Sequence, residues 1–248
     1  MSDKILLCAE NISKSFNHIK ALQKVTIKAY EGKITAIIGD NGSGKSTFIK
    51  ILSGALKPDE GVIRIGKDTF SGLTIDMAIK AGIRTVYQDL SLDNFKNSVE
   101  NIFLGDEITR CGFLDRKAMR EEAAALLEEI KVRIPDLSEP VRNLSGGQRQ
   151  GLAIARALRR PAKLLLLDEP TAAMGIQESA KTMEMLGTLK RKGIAQLIVS
   201  HNLEQVFDIA DHIYVMRSGE ILVDTSVSYT SPEELRELIL RREDERIF

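Results

Sequence analysis

The sequence predicts an α/β fold in which a mostly parallel β-sheet is covered by helices on both faces. Short apolar segments at residues 34–38, 164–167 and 195–199 are typical of strands that are buried on both sides. Segments with helical periodicity alternate with these strands, and such alternation favours a parallel sheet. The length of 248 residues is enough for one sizeable hydrophobic core and a small appended subdomain.

Composition excludes several classes of protein. Hydrophobic residues make up 43% of the chain and charged residues 28%, so a mainly disordered chain is excluded. No uninterrupted apolar run approaches the roughly 20 residues of a membrane-spanning helix, and the first residues lack a signal-peptide layout. The 35 basic residues balance 35 acidic residues, which disfavours a nucleic-acid partner. Cys8 and Cys111 show no pairing pattern, so we expect a reducing compartment.

The first quarter of the chain alternates strand patterns with turns. Four short strands are predicted there, at residues 5–9, 25–30, 34–38 and 61–66. A helix precedes the fourth strand, because Phe48, Ile51 and Leu52 share one face, and Gly54 is its expected C-terminal stop.

The segment 90–144 is predicted to be mostly helical and to form a helical subdomain set into the sheet protein. Apolar side chains recur at helical spacing from Met119 to Ile130, and charged side chains take the opposite face. Further elements follow: a helix starting at Ser145, a helix near 177–192 and a strand pair near 213–223.

A last helix is predicted over 231–248. Ser231 is its N-cap, Pro232 occupies the first helical position, and Glu234 completes a capping box.

A phosphate-binding loop is predicted between the strand at 34–38 and the helix after it. The run from Gly39 to Ser46 fits G-x-x-x-x-G-K-[ST]. Its glycines let successive N–H groups face one anion, and the helix N-terminus adds its dipole. Lys45 can reach the β- and γ-phosphates, and the Ser46 hydroxyl can bind Mg²⁺. The alternative is a plain glycine-rich turn, which the flanking strand and helix disfavour.

Two carboxylates follow the strand at 164–167. Asp168 ends a central parallel strand, at the sheet edge where ligands bind, and there it can hold Mg²⁺ through water. Glu169 can orient or deprotonate an attacking water. A strand that ends in Asp-Glu is common and often structural, but beside a phosphate loop the pair predicts a hydrolase that acts on a nucleoside triphosphate.

The run Leu144-Ser145-Gly146-Gly147-Gln148 opens another helix. Ser145 can cap this helix, and the two glycines leave its first N–H groups accessible to an anion. From the residues alone, a capped helix and a second anion site both remain open.

At this point the sequence resembles the ABC transporter ATPases, over roughly residues 4 to 240. Residues 144–148 match the signature motif of that family letter for letter. The resemblance implies a single domain, 1–248, with a P-loop NTPase fold: a mostly parallel RecA-like sheet, an N-terminal antiparallel β subdomain and a helical subdomain inserted at about 90–144.

The resemblance also implies a role for each site residue. Phe16 stands where the family places an aromatic residue that stacks on adenine, although alone it would be taken for a core aromatic. The implied ATP contacts are Phe16, Gly39, Asp40, Asn41, Gly42, Ser43, Gly44, Lys45, Ser46, Thr47, Ser145, Gly146, Gly147 and Gln148. The implied magnesium ligands are Ser46, Gln88 and Asp168. Glu169 is the implied general base, Gln88 matches the glutamine loop, and His201 matches the switch histidine that senses the γ-phosphate.

Partners and location follow from the same resemblance. Two cassettes face each other head to tail in this family, so each ATP lies between the phosphate loop of one copy and the signature of the other. The implied partners are a second copy, membrane-spanning permease subunits that dock at residues 88–105, and indirectly an extracytoplasmic sugar-binding protein. The implied location is peripheral, on the cytoplasmic face of the bacterial inner membrane.

Three stretches narrow the resemblance to bacterial monosaccharide importers of the ribose, xylose and fructose type: residues 82–92, 101–105 and 168–175. The chain departs from that group in two ways. Many of its members fuse two cassettes, whereas this chain holds one, and Gly175 replaces an Asp that is usual in the wider family.

The retained alternative is a soluble single-cassette ATPase of iron–sulfur cluster assembly. A chromosome-maintenance ATPase is disfavoured, because only 106 positions separate Gly39 of the phosphate loop from Ser145 of the signature, which leaves no room for a long coiled coil. A translation-associated protein is disfavoured, because it needs a second cassette and a charged linker.

Overall fold

The computed structural model describes residues 4–172 and 174–237. Its strands are β1 (Ile5–Phe16), β2 (Ile19–Tyr30), β3 (Ile34–Ile38), β4 (Glu60–Ile65), β5 (Asp68–Phe70), β6 (Ile83–Val86), β7 (Thr109–Arg110), β8 (Phe113–Leu114), β9 (Leu164–Asp168), β10 (Ala195–Ser200), β11 (His212–Arg217) and β12 (Glu220–Ser226). Its α-helices include α1 (Lys45–Leu52), α2 (Ile75–Lys80), α3 (Ser98–Phe103), α4 (Arg116–Glu129), α5 (Gly146–Leu158), α6 (Ile176–Arg191) and α7 (Leu203–Phe207).

A six-stranded sheet of order β12-β11-β3-β10-β9-β6 forms the centre of the molecule. Five of its strands are parallel, and only β12 runs antiparallel, at one edge. The predicted mostly parallel sheet is therefore confirmed. Side chains along β9 alternate between two hydrophobic clusters, with Leu164 and Leu166 on one face and Leu165 and Leu167 on the other. Burial on both faces explains why this strand reads as an unbroken apolar run.

A four-stranded antiparallel sheet, β2-β1-β4-β5, covers one side of the central sheet. Its inner residues, such as Leu7 and Ile27, share a cluster with Phe48 of α1 and Leu166 of β9. Helix α1 therefore lies between the two sheets, and its N-terminus is held where β3 ends. On the opposite face, residues of α3, α4, α5 and α6 form the second cluster.

The segment 90–144 contains less helix than the sequence predicts. Only α3, α4 and a short 3₁₀ turn at Val141–Asn143 are helical, and β7 pairs with β8 as a hairpin. The hairpin turn places Cys111 and Gly112 at positive φ, 52° and 83°. Two-residue strands are too short to produce a periodic pattern, so this hairpin could not be predicted from the sequence. The division into subdomains stays a prediction.

The C-terminal helix begins as predicted. Residues 232–237 are helical, and Ser231 and Glu234 exchange both capping-box hydrogen bonds, at 3.1 and 3.2 Å. The remainder of the predicted helix, 238–248, lies outside the described residues. Cys8 is buried and Cys111 exposed, and neither forms a disulfide within the described residues. Within that same part of the chain, no helix is both long and apolar enough to cross a membrane.

Candidate functional site

The carboxyl ends of the parallel strands bring most predicted site residues to one edge of the central sheet. β3 leads into the phosphate loop, β9 ends at Asp168, and β10 is followed by His201. A cavity of about 590 Å³ lies at this edge. Its lining combines the phosphate loop and neighbouring side chains, among them Gly42, Lys45, Ser46, Thr47, Gln88, Glu169 and His201.

The phosphate loop needs glycine at Gly44 for two reasons. Its φ of 109° is a conformation that side chains disfavour, and a Cβ there would lie 2.5 Å from the carbonyl oxygen of Ala21. The loop is closed by the Ser43 amide, which donates to the Asp40 carbonyl at 3.1 Å, and by the Gly219 amide, which donates to the Ser43 carbonyl at 2.9 Å. The Ser43 hydroxyl is buried and has no partner among the described residues.

Lys45 is a buried cation at the base of this loop. Its Nζ donates to the carbonyl oxygens of Gly39 at 2.6 Å and Asp40 at 2.9 Å. Burial lowers the pKa of Lys45, while the carboxylates of Glu169 and Asp168 oppose that shift. Lys45 therefore places a positive charge at the base of the loop whose hydrogen bonds go to neutral carbonyls, which an incoming anion can replace as acceptors.

Ser46 and Asp168 form an oxygen-rich pair beside Lys45. The Ser46 hydroxyl donates to Asp168 Oδ1 at 3.1 Å, and Gln88 lines the same cavity. The described residues contain no cluster of three or more His, Cys, Asp or Glu side chains that could hold a metal. This donor set fits Mg²⁺, which keeps several waters and is commonly held by one or two protein oxygens together with phosphate oxygens.

Glu169 is held between two basic groups. Its Oε1 lies 4.0 Å from Lys45 Nζ, and its Oε2 lies 2.9 Å from Nδ1 of His201. The backbone of Glu169 has a φ of 51°, unusual for a residue with a side chain, and its amide donates to the Val199 carbonyl at 3.0 Å. The carboxylate is 9% exposed, so it is a buried acceptor that faces the phosphate loop.

The second predicted anion site lies elsewhere on the chain. Ser145 caps α5 in a capping box with Gln148, and the Gln148 side chain also donates to the Arg133 carbonyl at 3.1 Å. A separate cavity of about 470 Å³ contains Ser145, Gly147 and Gln148 in its lining, together with Lys131 and Arg133. Gly146 packs beside Glu178. No lining residue belongs to both cavities, so the signature does not complete the phosphate site of its own chain.

The wall opposite the loop was largely missed from the sequence. Ile19, Lys20, Ala21, Gln23 and Ser218 line the phosphate-loop cavity. The sequence signalled this wall only through Phe16, which ends β1, pairs with Ile19 and is 45% exposed. That exposure excludes the core-aromatic interpretation of Phe16. If the sequence had predicted β1 and β2 at their full lengths, the turn between them would have been placed beside the loop.

Gly175, the position that departs from the wider family, is the N-cap of α6. Its φ is −67°, a conformation open to any residue, and no side chain caps the helix there. No described residue would lie within 4 Å of a Cβ at this position.

The buried carboxylate of Asp168 yields a stability prediction. Burial raises its pKa, so the folded protein holds this proton more tightly than the unfolded chain and ionisation at neutral pH costs stability. Asp168→Asn keeps an acceptor for Ser46 and removes the charge. We expect thermal melting at pH 7 without nucleotide to rise by roughly 2–4 °C, with a smaller gain as the pH falls through the raised pKa.

Asp59→Asn is the control of opposite sign. Hydrogen bonds from Lys14 and from the Ser15 amide lower the pKa of Asp59, so its ionised form supports folding and the substitution should lower the melting temperature. A lower melting temperature for Asp168→Asn would contradict the assigned cost of that buried charge.

Comparison with known proteins agrees with this geometry. Residues 22–172 match the ABC transporter family. The chain is 44% identical to a xylose/arabinose import ATP-binding protein of Sulfolobus acidocaldarius, over 96% of this chain and 94% of that protein. It is 40% identical to a fructose import ATP-binding protein of Rhizobium meliloti, over 90% and 88%. A ribose import ATP-binding protein of Burkholderia ambifaria is 38% identical over 98% of this chain, which spans 48% of that relative.

Solved structures show the same fold. An ATP-binding cassette of an ABC transporter in its ADP conformation superposes with a TM-score of 0.79 at 30% identity, covering 95% of this chain and 98% of that one. A dimeric bacterial ABC transporter cassette superposes with a TM-score of 0.76 at 26% identity, covering 89% and 98%. The predicted P-loop NTPase fold is confirmed, and the chain belongs to the ABC transporter family as an ATP-binding cassette.

Proposed function

We propose that the chain is the ATP-hydrolysing subunit of an ABC transporter that imports a sugar. The observation that carries the hydrolytic part is the placement of Glu169 between Lys45 and His201, beside the phosphate loop. The relatives named for xylose/arabinose, fructose and ribose import support the sugar part. None of those relatives is named for iron–sulfur cluster assembly, so that alternative is not proposed.

ATP binding is assigned to the phosphate loop and the wall opposite it. Lys45 donates to the neutral carbonyls of Gly39 and Asp40, and a triphosphate offers charged acceptors that form stronger hydrogen bonds. We therefore expect Lys45 to exchange these carbonyls for β- and γ-phosphate oxygens. The loop from Gly39 to Thr47 surrounds the phosphates, and the exposed ring of Phe16 stacks on adenine.

Hydrolysis is assigned to groups around the γ-phosphate. Ser46, Asp168 and Gln88 would hold Mg²⁺, which when bound neutralises charge on the phosphate oxygens. The Glu169 carboxylate accepts a proton from water, whose oxygen attacks the γ-phosphorus as the bond to the bridging oxygen breaks. His201 orients that carboxylate through its 2.9 Å contact and senses the γ-phosphate.

A head-to-tail dimer is supported by the separation of the two cavities and by the dimeric cassettes that share this fold. In this arrangement Ser145, Gly146, Gly147 and Gln148 meet the triphosphate held by the other copy. The N-terminus of α5 favours that anion, because its dipole points positive charge at the site.

The proposed assembly includes permease subunits, reached at residues 88–105, and indirectly an extracytoplasmic sugar-binding protein. Phe95 is 80% exposed and Leu104 49% exposed in this segment, so it offers apolar surface to a docking helix. The proposed location is peripheral, on the cytoplasmic face of a bacterial inner membrane.

Glu169→Gln is expected to stop turnover and to leave ATP binding intact. The amide keeps the shape of the side chain and cannot accept the proton, and loss of a general base typically costs about 10²- to 10⁴-fold in rate. Phosphate release measures turnover, and nucleotide titration measures binding. Glu128→Gln, an exposed position on α4, is the matched control. Near-normal hydrolysis by Glu169→Gln would remove Glu169 from its role.

Gly147→Asp tests the shared site. In the Glu169→Gln background, ATP should convert the monomer to a dimer, because the closed state cannot be hydrolysed. Adding Gly147→Asp sets a negative charge against the triphosphate of the other copy, which should abolish the dimer while monomers still bind ATP. Size-exclusion chromatography with light scattering measures the fraction of dimer, and an ATP titration measures the affinity of the monomer for ATP.

Gly187→Asp is the control for Gly147→Asp, because it adds the same charge at a helical glycine of α6, where a Cβ would meet only Arg191 Nη1, at 3.6 Å. It should dimerise like the parent. If Gly147→Asp instead removes ATP binding from a folded monomer, the residue acts within its own chain and the shared-site mechanism is wrong.

Phe95→Asp tests the permease contact. The tagged protein, purified from membranes of its native host, should carry membrane-spanning subunits that mass spectrometry identifies. Phe95→Asp should reduce their recovery, because it places a charge in an apolar interface. Phe113→Asp, at an equally exposed ring in the β7–β8 hairpin, should leave recovery unchanged. Recovery of cluster-assembly proteins in place of spanning subunits would reject the transport function.

A further inference from the structure

The loop that carries Gln88 is a tight turn with one end at the phosphate-loop cavity. β6 pairs in parallel with β9, where Val86 lies opposite Leu167, so Gln88 follows at the edge that holds Asp168. Beyond it, Asp89 Oδ1 accepts the Ser91 amide at 2.9 Å, and Ser91 has a φ of 47°. The Asp89–Ser91 hydrogen bond therefore constrains the backbone of this turn.

Arg156 attaches the far end of this turn to α5. Its Nη1 donates to the Ser91 carbonyl at 2.9 Å, and its Nη2 donates to the Leu90 carbonyl at 2.5 Å. The guanidinium is half-buried, and burial lowers the pKa of Arg156, yet an arginine stays charged in proteins. No carboxylate pairs with it within residues 4–172 and 174–237, so the two carbonyl dipoles are what offset its charge.

The helix that carries Arg156 begins at the signature. Ser145 caps its first turn, and Ser145 and Gly147 line the second cavity. Apolar contacts support the same connection, because Leu90 and Leu92 pack against the cluster that contains Leu152 of α5. A continuous α-helix transmits displacement along its axis with little internal change, since each turn is hydrogen-bonded to the next.

We propose that Arg156 is a positioning residue that couples the Gln88 turn, at one ATP, to the signature end of α5, at the other ATP. This inference rests on the proposed function, in which the two cavities serve different ATP molecules. When Gln88 shifts toward a bound γ-phosphate and its metal, the Leu90 and Ser91 carbonyls move with it. Arg156 transfers that displacement to α5 and so sets the orientation of Ser145 and Gly147.

The geometry favours arginine over lysine at this position. Two carbonyls on successive residues are reached by two different nitrogens of one planar group, whose fork is rigid. A lysine ammonium supplies the charge but a single donor atom. Arg156→Lys should therefore keep part of the coupling, and Arg156→Met should lose both hydrogen bonds.

Hydrogen–deuterium exchange on dilute, monomeric Glu169→Gln protein tests the coupling without requiring a dimer. In this parent, Mg²⁺-ATP should slow exchange both in residues 88–92 and in the first turn of α5. With Arg156→Met added, ATP should still slow exchange in residues 88–92 and should leave the first turn of α5 unchanged. Arg156→Lys should restore part of the α5 response.

Two further measurements separate positioning from loss of fold. ATP-driven dimerisation should weaken about tenfold in Arg156→Met, in line with coupling changes seen for residues between two sites. In the chain with native Glu169, kcat should fall while the KM for ATP stays near its parent value. Arg159→Met is the matched control, because Arg159 is the C-cap of α5, three residues after Arg156, and pairs with Asp106 and Glu122 instead.

The outcomes are distinct. An α5 exchange response that survives in Arg156→Met, or is lost equally in Arg159→Met, overturns the coupling role. A drop in monomer ATP affinity that parallels a drop in melting temperature in Arg156→Met also overturns it, since the residue would then be structural. If the parent fails to dimerise with ATP although its α5 response depends on Arg156, the shared-site function fails and the coupling stands.

Discussion

The parallel pairing of β3, β10 and β9 is the constraint on which the candidate site depends. Parallel strands end at a common edge, so the phosphate loop, Asp168 and the residues after Ser200 meet although they are far apart in sequence. The register between β10 and β9 determines where the Glu169 side chain lies. Val199 lies opposite Asp168, which lets the Val199 carbonyl accept the Glu169 amide and aims the carboxylate toward Lys45.

Several features of this edge oppose folding stability. Lys45 and Asp168 are charged groups taken largely out of water, the Ser43 hydroxyl is buried without a partner among the described residues, and Glu169 adopts a left-handed backbone conformation. The central strands offset these costs, because leucines on both faces of β9 are fully buried. The buried strands of the central sheet thus stabilise the fold, and the residues at their carboxyl ends bind and react at a cost in stability.

Much of the site could be predicted, because its chemistry is local in sequence. The phosphate loop, the Asp168–Glu169 pair and the Ser145 cap each occupy consecutive residues with a distinctive pattern. The structure places much of the loop, Glu169, Gln88 and His201 around one cavity, and Asp168 accepts a hydrogen bond from Ser46 beside it. The sheet was predictable because strands that are buried on both faces consist of nearly continuous apolar residues, a pattern that is visible in the sequence. Whether each predicted residue has its assigned role stays a prediction.

The parts that could not be predicted depend on contacts between distant segments or on very short elements. The wall formed by Ile19 and Ser218 exists only because the turn after β1 and the turn after β11 meet over the loop. The hairpin of β7 and β8 has strands of two residues, below the length at which alternation is visible. From the sequence alone, Arg156 looks like an ordinary polar residue of an amphipathic helix. Only the structure shows that it donates to two backbone carbonyls of the Gln88 turn.

Gly175 is a glycine in an ordinary backbone conformation. Its backbone conformation is open to every amino acid, and a side chain there would meet empty space within the described chain. Neither fold nor packing therefore maintains glycine at this position. Glycine at this N-cap leaves α6 without a side-chain acceptor for its first amides, so a residue such as Asp or Asn there would add a capping hydrogen bond.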